Sequence, residues 1–380
     1  MKKSLISAAI ISLFVIGFPA SNLTSTDEPS TTTPDIPSDT QAQPNPELGG
    51  EPNASIPNIQ YTTVDEDGSA VFRIDMTGIQ DQSTLDWLRL LGTSEVGQNV
   101  WVEIDGQPKG VKVYNTADDN NERSVPVDLV FLVDNSGSMS EEANTIARDI
   151  TTWAEKLSKT SLDIKFGCVG YDGAITGAVN ITSYQNLSNY LNRDDAWGTG
   201  RTVGFDGSEA DIMKFNSNKE SYRTGGYSDA ECGMAALRFA TDMFTFRKDA
   251  NRIFVNFTDE PNQPRGNANF SVESLKTDWN TNLGTIHTVF SEYQSYDRNE
   301  SNRLMSEYTG GTVIYTNSSF TSVTLENLPV TDAMRNSYVI RISNIREFMD
   351  GQTHNVRITI LSPDGTVRAE RTFQVVLEAI

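Results

Sequence analysis

Histidine is nearly absent from this chain, with only His287 and His354 among 380 residues. That scarcity argues against a multi-histidine metal centre, and no His-Glu-x-x-His stretch is present, which removes zinc proteases of that kind. Cysteine is equally scarce: two residues cannot build a zinc cluster or a dense disulfide scaffold. Positive charge is short as well. Thirty Lys and Arg stand against 51 Asp and Glu, a formal charge of −21, and a field of that sign disfavours nucleic acid or an anionic membrane as partner. A Gly-x-Ser-x-Gly elbow is lacking, and with it the commonest serine-hydrolase signature. Hydrophobic residues still make up 37%, enough for cores of ordinary size in two domains.

Long apolar runs are missing except near the start. Lys2 and Lys3 precede the run Leu5 to Phe18, too short to span a bilayer comfortably, and Ala20 suits the position before a cleavage. Residues 1–20 read as a secretory signal, the rival being an uncleaved anchor. The mature protein is then expected to be exported, to the cell surface, periplasm or medium, with no integral membrane span. From 21 to 56 proline, serine, threonine and acidic residues dominate without an aromatic. Such a segment cannot bury enough apolar surface to offset its ordering entropy, and reads as a disordered tether.

The folded part changes rhythm twice. Residues 57–120 are β-rich: Ala70 to Met76 alternates, and Asn99 to Ile104, a turn over Asp105-Gly-Gln-Pro-Lys-Gly110 and Val111 to Tyr114 read as a hairpin. From about 125 to 320 strands and helices take turns. Val127 to Val133 is a buried-strand run, and Ala143, Ile146, Ala147, Ile150, Trp153, Ala154 and Leu157 form one helical face. Further strands are expected at 162–170, 178–182, 252–257, 285–290 and 312–315, with helices at 186–192 and 234–244. This alternation predicts an α/β fold, a doubly wound and mostly parallel sheet. Residues 321–380 return to β, at Tyr338 to Ile342, Val356 to Ile360 and Thr372 to Val376. Neither flanking segment has enough strands for a comfortable sandwich alone, so the two are expected to pair into one β-sandwich domain with the α/β unit inserted.

The chemistry concentrates where the first α/β strand ends, in Asp134-Asn-Ser136-Gly-Ser138. Ligands of open α/β sheets bind beyond the carboxyl ends of the strands. A carboxylate and two hydroxyls there offer oxygen-only donors, the set that suits Mg²⁺ or another hard cation. Asp134 alone also suits a helix cap.

This stretch resembles the first part of the metal-ion-dependent adhesion site of the von Willebrand factor A family. Arg252-Ile-Phe-Val-Asn-Phe-Thr258-Asp259 is similar to that family's fourth strand, which ends in Thr-Asp. Gly225-Gly226-Tyr227-Ser228-Asp229 followed by Gly233 resembles its Gly-Gly-Thr loop, with Ser228 in the threonine's place, and Leu304 to Gly311 resembles the run into its last strand. The resemblance covers about residues 125–320. It implies a divalent cation, Mg²⁺ first with Mn²⁺ or Ca²⁺ as alternatives, held by Asp134, Ser136, Ser138, Ser228 and Asp259. Glu260, where the family has glycine, and Asp229 are expected behind these ligands. The implied function is adhesion-type binding of an extracellular or envelope protein, whose acidic side chain completes the coordination. The alternative is an envelope assembly or scaffold component in which the ion is structural. No general base accompanies the site, so no enzyme is expected.

Two further expectations follow. Cys168 and Cys232 of an exported chain favour a disulfide, with two buried thiols as the alternative. The long stretch Arg193 to Gly226, with Trp197, Phe205, Phe215 and Tyr222, is expected to wall the metal face and select the partner.

Overall fold

The computed structural model describes residues 35–377, apart from 55, 57–58, 67, 82, 85, 117–125, 140–141, 160–161, 193–218, 225–229, 249, 292–298, 318–324, 326–330, 332–333 and 335. The first strands are β1 (Ile59–Glu66), β2 (Ser69–Met76), β3 (Val100–Ile104), β4 (Gln107–Lys109) and β5 (Val111–Asn115). Asp105 and Gly106, at φ 49° and 79°, make the two-residue turn between β3 and β4, so Pro108 falls in an edge strand rather than in the turn.

The chain then enters the α/β unit. Its elements in order are β6 (Val127–Asp134), α1 (Glu142–Ser158), β7 (Ile164–Tyr171), β8 (Ile175–Thr182), α2 (Tyr184–Leu191), α3 (Gly233–Met243), β9 (Asn251–Thr258), α4 (Leu275–Asp278), β10 (Thr285–Ser291), α5 (Arg303–Thr309) and β11 (Val313–Thr316). The strand order is β11-β10-β9-β6-β7-β8, parallel except for β8, which runs antiparallel to β7 at one edge. Every residue of β6 is buried, as a central strand covered on both faces requires. Its side chains alternate between two cores. Leu129, Phe131 and Val133 meet Ile146, Ile150 and Trp153 of α1 and Leu187 of α2. Val130 and Leu132 meet Met234 and Leu237 of α3, Leu275 of α4 and Met305 of α5. Helices thus cover both faces, the doubly wound arrangement the alternation predicts.

The last strands, β12 (Tyr338–Ile342), β13 (His354–Leu361) and β14 (Arg368–Val375), return to the first body. β12 lies between β2 and β5, and β13 between β14 and β3. Two antiparallel four-stranded sheets, β1-β2-β12-β5 and β14-β13-β3-β4, enclose one core of Phe72, Ile74, Val102, Ile340, Ile358 and their neighbours. The β segments on either side of the α/β unit therefore build one sandwich. The bodies touch where Asn282 receives the β1 edge: Tyr61 N donates to its Oδ1 (3.0 Å) and Gln60 Nε2 to its carbonyl (3.0 Å).

Two sequence expectations need correction. Residues 35–54, assigned to a disordered tether, lie against the sandwich. Asp39 receives Lys109 Nζ (2.6 Å) and Gly110 N (2.9 Å), Asn45 N donates to Glu103 (2.9 Å), and Asn53 exchanges hydrogen bonds with the Arg368 backbone (2.8 and 2.7 Å). Composition registers the lack of apolar burial, but polar groups that hydrogen-bond to partners already placed on the sandwich can seat an extended segment without it. Residues 1–34 lie outside the described ones.

Cys168 and Cys232 form no disulfide. The twofold period of β7 puts Cys168 on the α1–α2 side with Phe166, whereas Cys232 packs with α3 on the other. The sheet itself separates the two sulfurs.

Candidate metal centre

At its carboxyl end β6 delivers Asp134, fully buried. The chain turns at once: Asn135 N donates to Tyr171 O (2.7 Å), and Ser136 N folds back onto Asp134 Oδ1 (2.9 Å). A short 3₁₀ turn, Gly137–Met139, follows before α1. Within it the hydroxyls of Ser136 and Ser138 stand 3.0 Å apart, and Ser138 Oγ donates to Asp259 Oδ1 (3.1 Å). Asp259 comes from the neighbouring strand's end, directly after β9. Thr258, the last residue of that strand, donates to Asp134 Oδ2 (2.9 Å) and accepts from Glu260 N (3.1 Å).

Asp134, Ser136 and Ser138 of one loop and Asp259, 121 residues beyond Ser138, thus form one continuous oxygen surface at the sheet's carboxyl rim. Thr258 belongs with them. Sequence reasoning quoted its motif but gave it no role; its position one residue before Asp259 was the available signal. Glu260 turns its backbone inward, and its carbonyl accepts from Asn302 Nδ2 (2.7 Å). Ser228 and Asp229 lie outside the described residues, as do Trp197, Phe205 and Phe215. Of the expected wall, Lys219–Tyr222 forms a 3₁₀ turn, and Tyr222 leaves the rim to pack on Phe239 and donate to Asp242 (2.7 Å).

The rim is electrically unbalanced. Burial pushes the Asp134 carboxyl up to about 7, with the Asp259 charge adding to the push and the bonds from Ser136 and Thr258 opposing it. Burial also raises Asp259 and Glu260, the latter helped by Asp259. Glu231, just before α3, is pushed up to about 8 by burial and then by Asp134, Glu260 and Asp259. No lysine or arginine pairs with any of these four carboxylates among the described residues. A cation is what this arrangement lacks, and all its donors are oxygens, so the residues fit a hard divalent ion. The fit depends on hydroxyls: no group of three or more His, Cys, Asp and Glu side chains among the described residues is arranged to hold a metal.

The fold is that of an open α/β protein, and the candidate rim lies at the carboxyl ends of β6 and β9, where ligands of such sheets bind. No protein-family model matches the chain, and no curated protein matches it. Solved structures do. An aerotolerance-related membrane protein from Bacteroides fragilis is 16% identical over 52% of this chain and 94% of its own, with a TM-score of 0.29. The pilus adhesin SpaC from Lactobacillus rhamnosus GG, in its open conformation, is 9% identical over 86% of this chain, with a TM-score of 0.36. This chain spans 48% of that adhesin, about half its length. The human COPII-coat protein Sec24c is 11% identical over 91% of this chain and 60% of its own, at 0.31. At such identities and scores the strand order of this chain remains the ground for its fold. No helix among the described residues is long and apolar enough to cross a membrane.

Proposed function

We propose that this protein is an exported binding module of the von Willebrand factor A type that engages an extracellular or envelope protein through a divalent cation. The observation that carries the reading is the buried Asp134 and the half-buried Asp259, two carboxylates with no Lys or Arg partner among the described residues, linked through Ser136 and Ser138 at the carboxyl rim of a mostly parallel sheet. Asp134, Ser136 and Ser138 would hold the ion directly, Asp259 through water, and Ser228 from the third loop. Mg²⁺ fits best, with Mn²⁺ or Ca²⁺ as alternatives. Bound there, the ion supplies an electrophilic position for an acidic side chain of the partner. Thr258 holds Asp134 in place through its hydrogen bond to Oδ2.

The site is read as binding rather than catalytic. His287 is enclosed in β10 and His354 belongs to the sandwich, so neither histidine serves the rim as a base.

Calorimetric titration of Mg²⁺, Mn²⁺ and Ca²⁺ into the protein and its Asp134→Ala variant tests the cation. Saturable binding that the variant loses is expected; equal binding by both would overturn the assignment. Capture of envelope proteins with and without chelator tests the partner contact. Capture that survives chelation would favour the scaffold reading, for which one feature speaks: both Asp134 oxygens already have protein donors.

A further inference from the structure

Asn302 precedes α5 at the position where asparagine most often caps a helix, yet its side chain makes no cap bond. It turns instead toward the metal rim. Nδ2 donates to Glu260 O at 2.7 Å, and Oδ1 accepts from Asn256 Nδ2 at 3.1 Å. Asn256 in turn accepts from Tyr171 OH at 2.9 Å, and Tyr171 O holds Asn135 N at 2.7 Å. All three side chains, on Tyr171, Asn256 and Asn302, are buried, at 1%, 0% and 1% exposure.

This relay closes a circuit. It starts at the loop of Asp134, crosses the α3–α5 face of the sheet and ends on the loop of Asp259. Gly233, at the start of α3, sits against its middle, and a Cβ there would lie 2.8 Å from Asn302 Oδ1 and 3.0 Å from Asn256 Nδ2. Asn302 is itself anchored from below, since Thr288 Oγ1 donates to its carbonyl at 3.1 Å.

We propose that Asn302, which lies outside every stretch that resembles the adhesion-site motif, is a positioning residue of the cation site. By gripping the Glu260 carbonyl it fixes the turn that carries Asp259 and sets the distance between that carboxylate and Asp134. This inference rests on the cation reading given above. Groups that orient metal ligands from behind are worth about 10- to 100-fold in metal affinity. The amide of Asn302 suits this role because a neutral side chain adds no charge to a rim already rich in carboxylates. It also offers a donor to one neighbour and an acceptor to the other.

The test is Mg²⁺ titration of the full chain, with thermal melting in chelator alongside. Five proteins are compared: wild type, Asp134→Ala, Asn302→Ala, Asn256→Ala and the double variant Asn256→Ala/Asn302→Ala. The expected result is that Asp134→Ala abolishes Mg²⁺ binding and that Asn302→Ala weakens it about 10- to 100-fold. Asn256→Ala should weaken it less, and the double variant Asn256→Ala/Asn302→Ala no more than Asn302→Ala alone, since both act through one contact. A purely structural Asn302 would lower the melting temperature in chelator and leave Mg²⁺ affinity within about twofold; that result overturns the proposal. If Asn302→Ala does not fold, Asn302→Ser replaces it, because serine keeps a polar helix start but does not reach Glu260. No Mg²⁺ binding by wild type, or full binding by Asp134→Ala, would defeat the cation reading itself. Intact loss in Asp134→Ala with an unaffected Asn302→Ala would defeat only this inference.

Discussion

The two ends of β6 carry two buried aspartates that meet opposite fates. Asp128, near the amino end, is fully buried and receives Arg247 twice, Nε on Oδ1 and the backbone N on Oδ2, each at 2.7 Å. The same guanidinium reaches Asp163 (2.6 Å) and the Val127 carbonyl (2.7 Å), so it ties the start of β6 to the start of β7. Asp134, at the carboxyl end, is buried to the same degree and, among the described residues, receives neutral donors, Ser136 N and Thr258 Oγ1, and no Lys or Arg. Burial alone therefore does not mark function. A buried charge with a counter-charge is architecture; one without such a partner is what the proposed cation reading rests on.

The comparison breaks most readily at Arg247. Arg247→Met leaves Asp128 buried without its cation and should cost about 3 kcal/mol in urea-unfolding experiments while Mg²⁺ binding survives. Asp134→Ala should do the reverse: lost binding, with stability in chelator unchanged or higher. If the two variants lose stability equally, the distinction between the ends of the strand is wrong.

Mg²⁺ itself sharpens the contrast. At 100 times its Kd it should stabilise wild type by about 2.7 kcal/mol, and Arg247→Met by the same increment, but not Asp134→Ala. Melting curves with and without the ion read this directly.

The two histidines extend the comparison to the two bodies. Burial lowers the His287 pKa to about 4, so its imidazole is neutral in the folded α/β unit. The unfolded chain takes up a proton below about 6.5 and the folded one does not, so stability present above that pH is lost as pH falls toward 4. At pH 5 the loss should be about 2 kcal/mol. His354 has the opposite sign. Its Nδ1 faces Asp105 (2.7 Å) and its Nε2 faces Asp350 (3.0 Å), both bonds require N–H, and the pKa is raised, first by Asp105. Its contribution is full below about 6.5 and fades as pH rises through the raised value. Hydrogen exchange resolved by segment should show acid loosening of β9 and β10 and alkaline loosening of β3 and β13. A common slope in both bodies would contradict this.

The smallest effect is expected at Gly110, where a Cβ would lie 2.0 Å from Pro37 O. Gly110→Ala should free the 35–54 segment to proteolysis and cost about 1 kcal/mol. Unchanged cleavage would mean that the segment is held elsewhere.

What was legible in the sequence was local. An apolar run that ends in Asp-x-Ser-x-Ser places both strand and rim, because the strand's burial and the loop's donors lie within twelve residues of each other, Val127 to Ser138. Thr258-Asp259 was legible for the same reason. The supports were not. Tyr171, Asn256 and Asn302 meet across the sheet face, and no period of 2 or 3.6 residues links positions on separate elements. The opposed faces of Cys168 and Cys232 were half legible: alternation in β7 fixes the first, but the packing of α3 fixes the second. Residues 35–54 were misread because composition carries no sign of the polar partners that Asp39, Asn45 and Asn53 find on the sandwich, at Lys109, Glu103 and Arg368.

β12 sits between β2 and β5, yet the whole α/β unit separates it from both in the chain. During synthesis the opening strands must wait, with a gap in their sheet, until the ribosome has produced everything between. Closing that gap is far less costly once the intervening residues have collapsed and brought their two ends together. The first body begun is thus the last completed, and a slow-folding lesion in the α/β unit would surface as exposed, unpaired edges of β2 and β5. In a crowded cell those edges, more than the rim, would decide how much protein reaches its folded state intact.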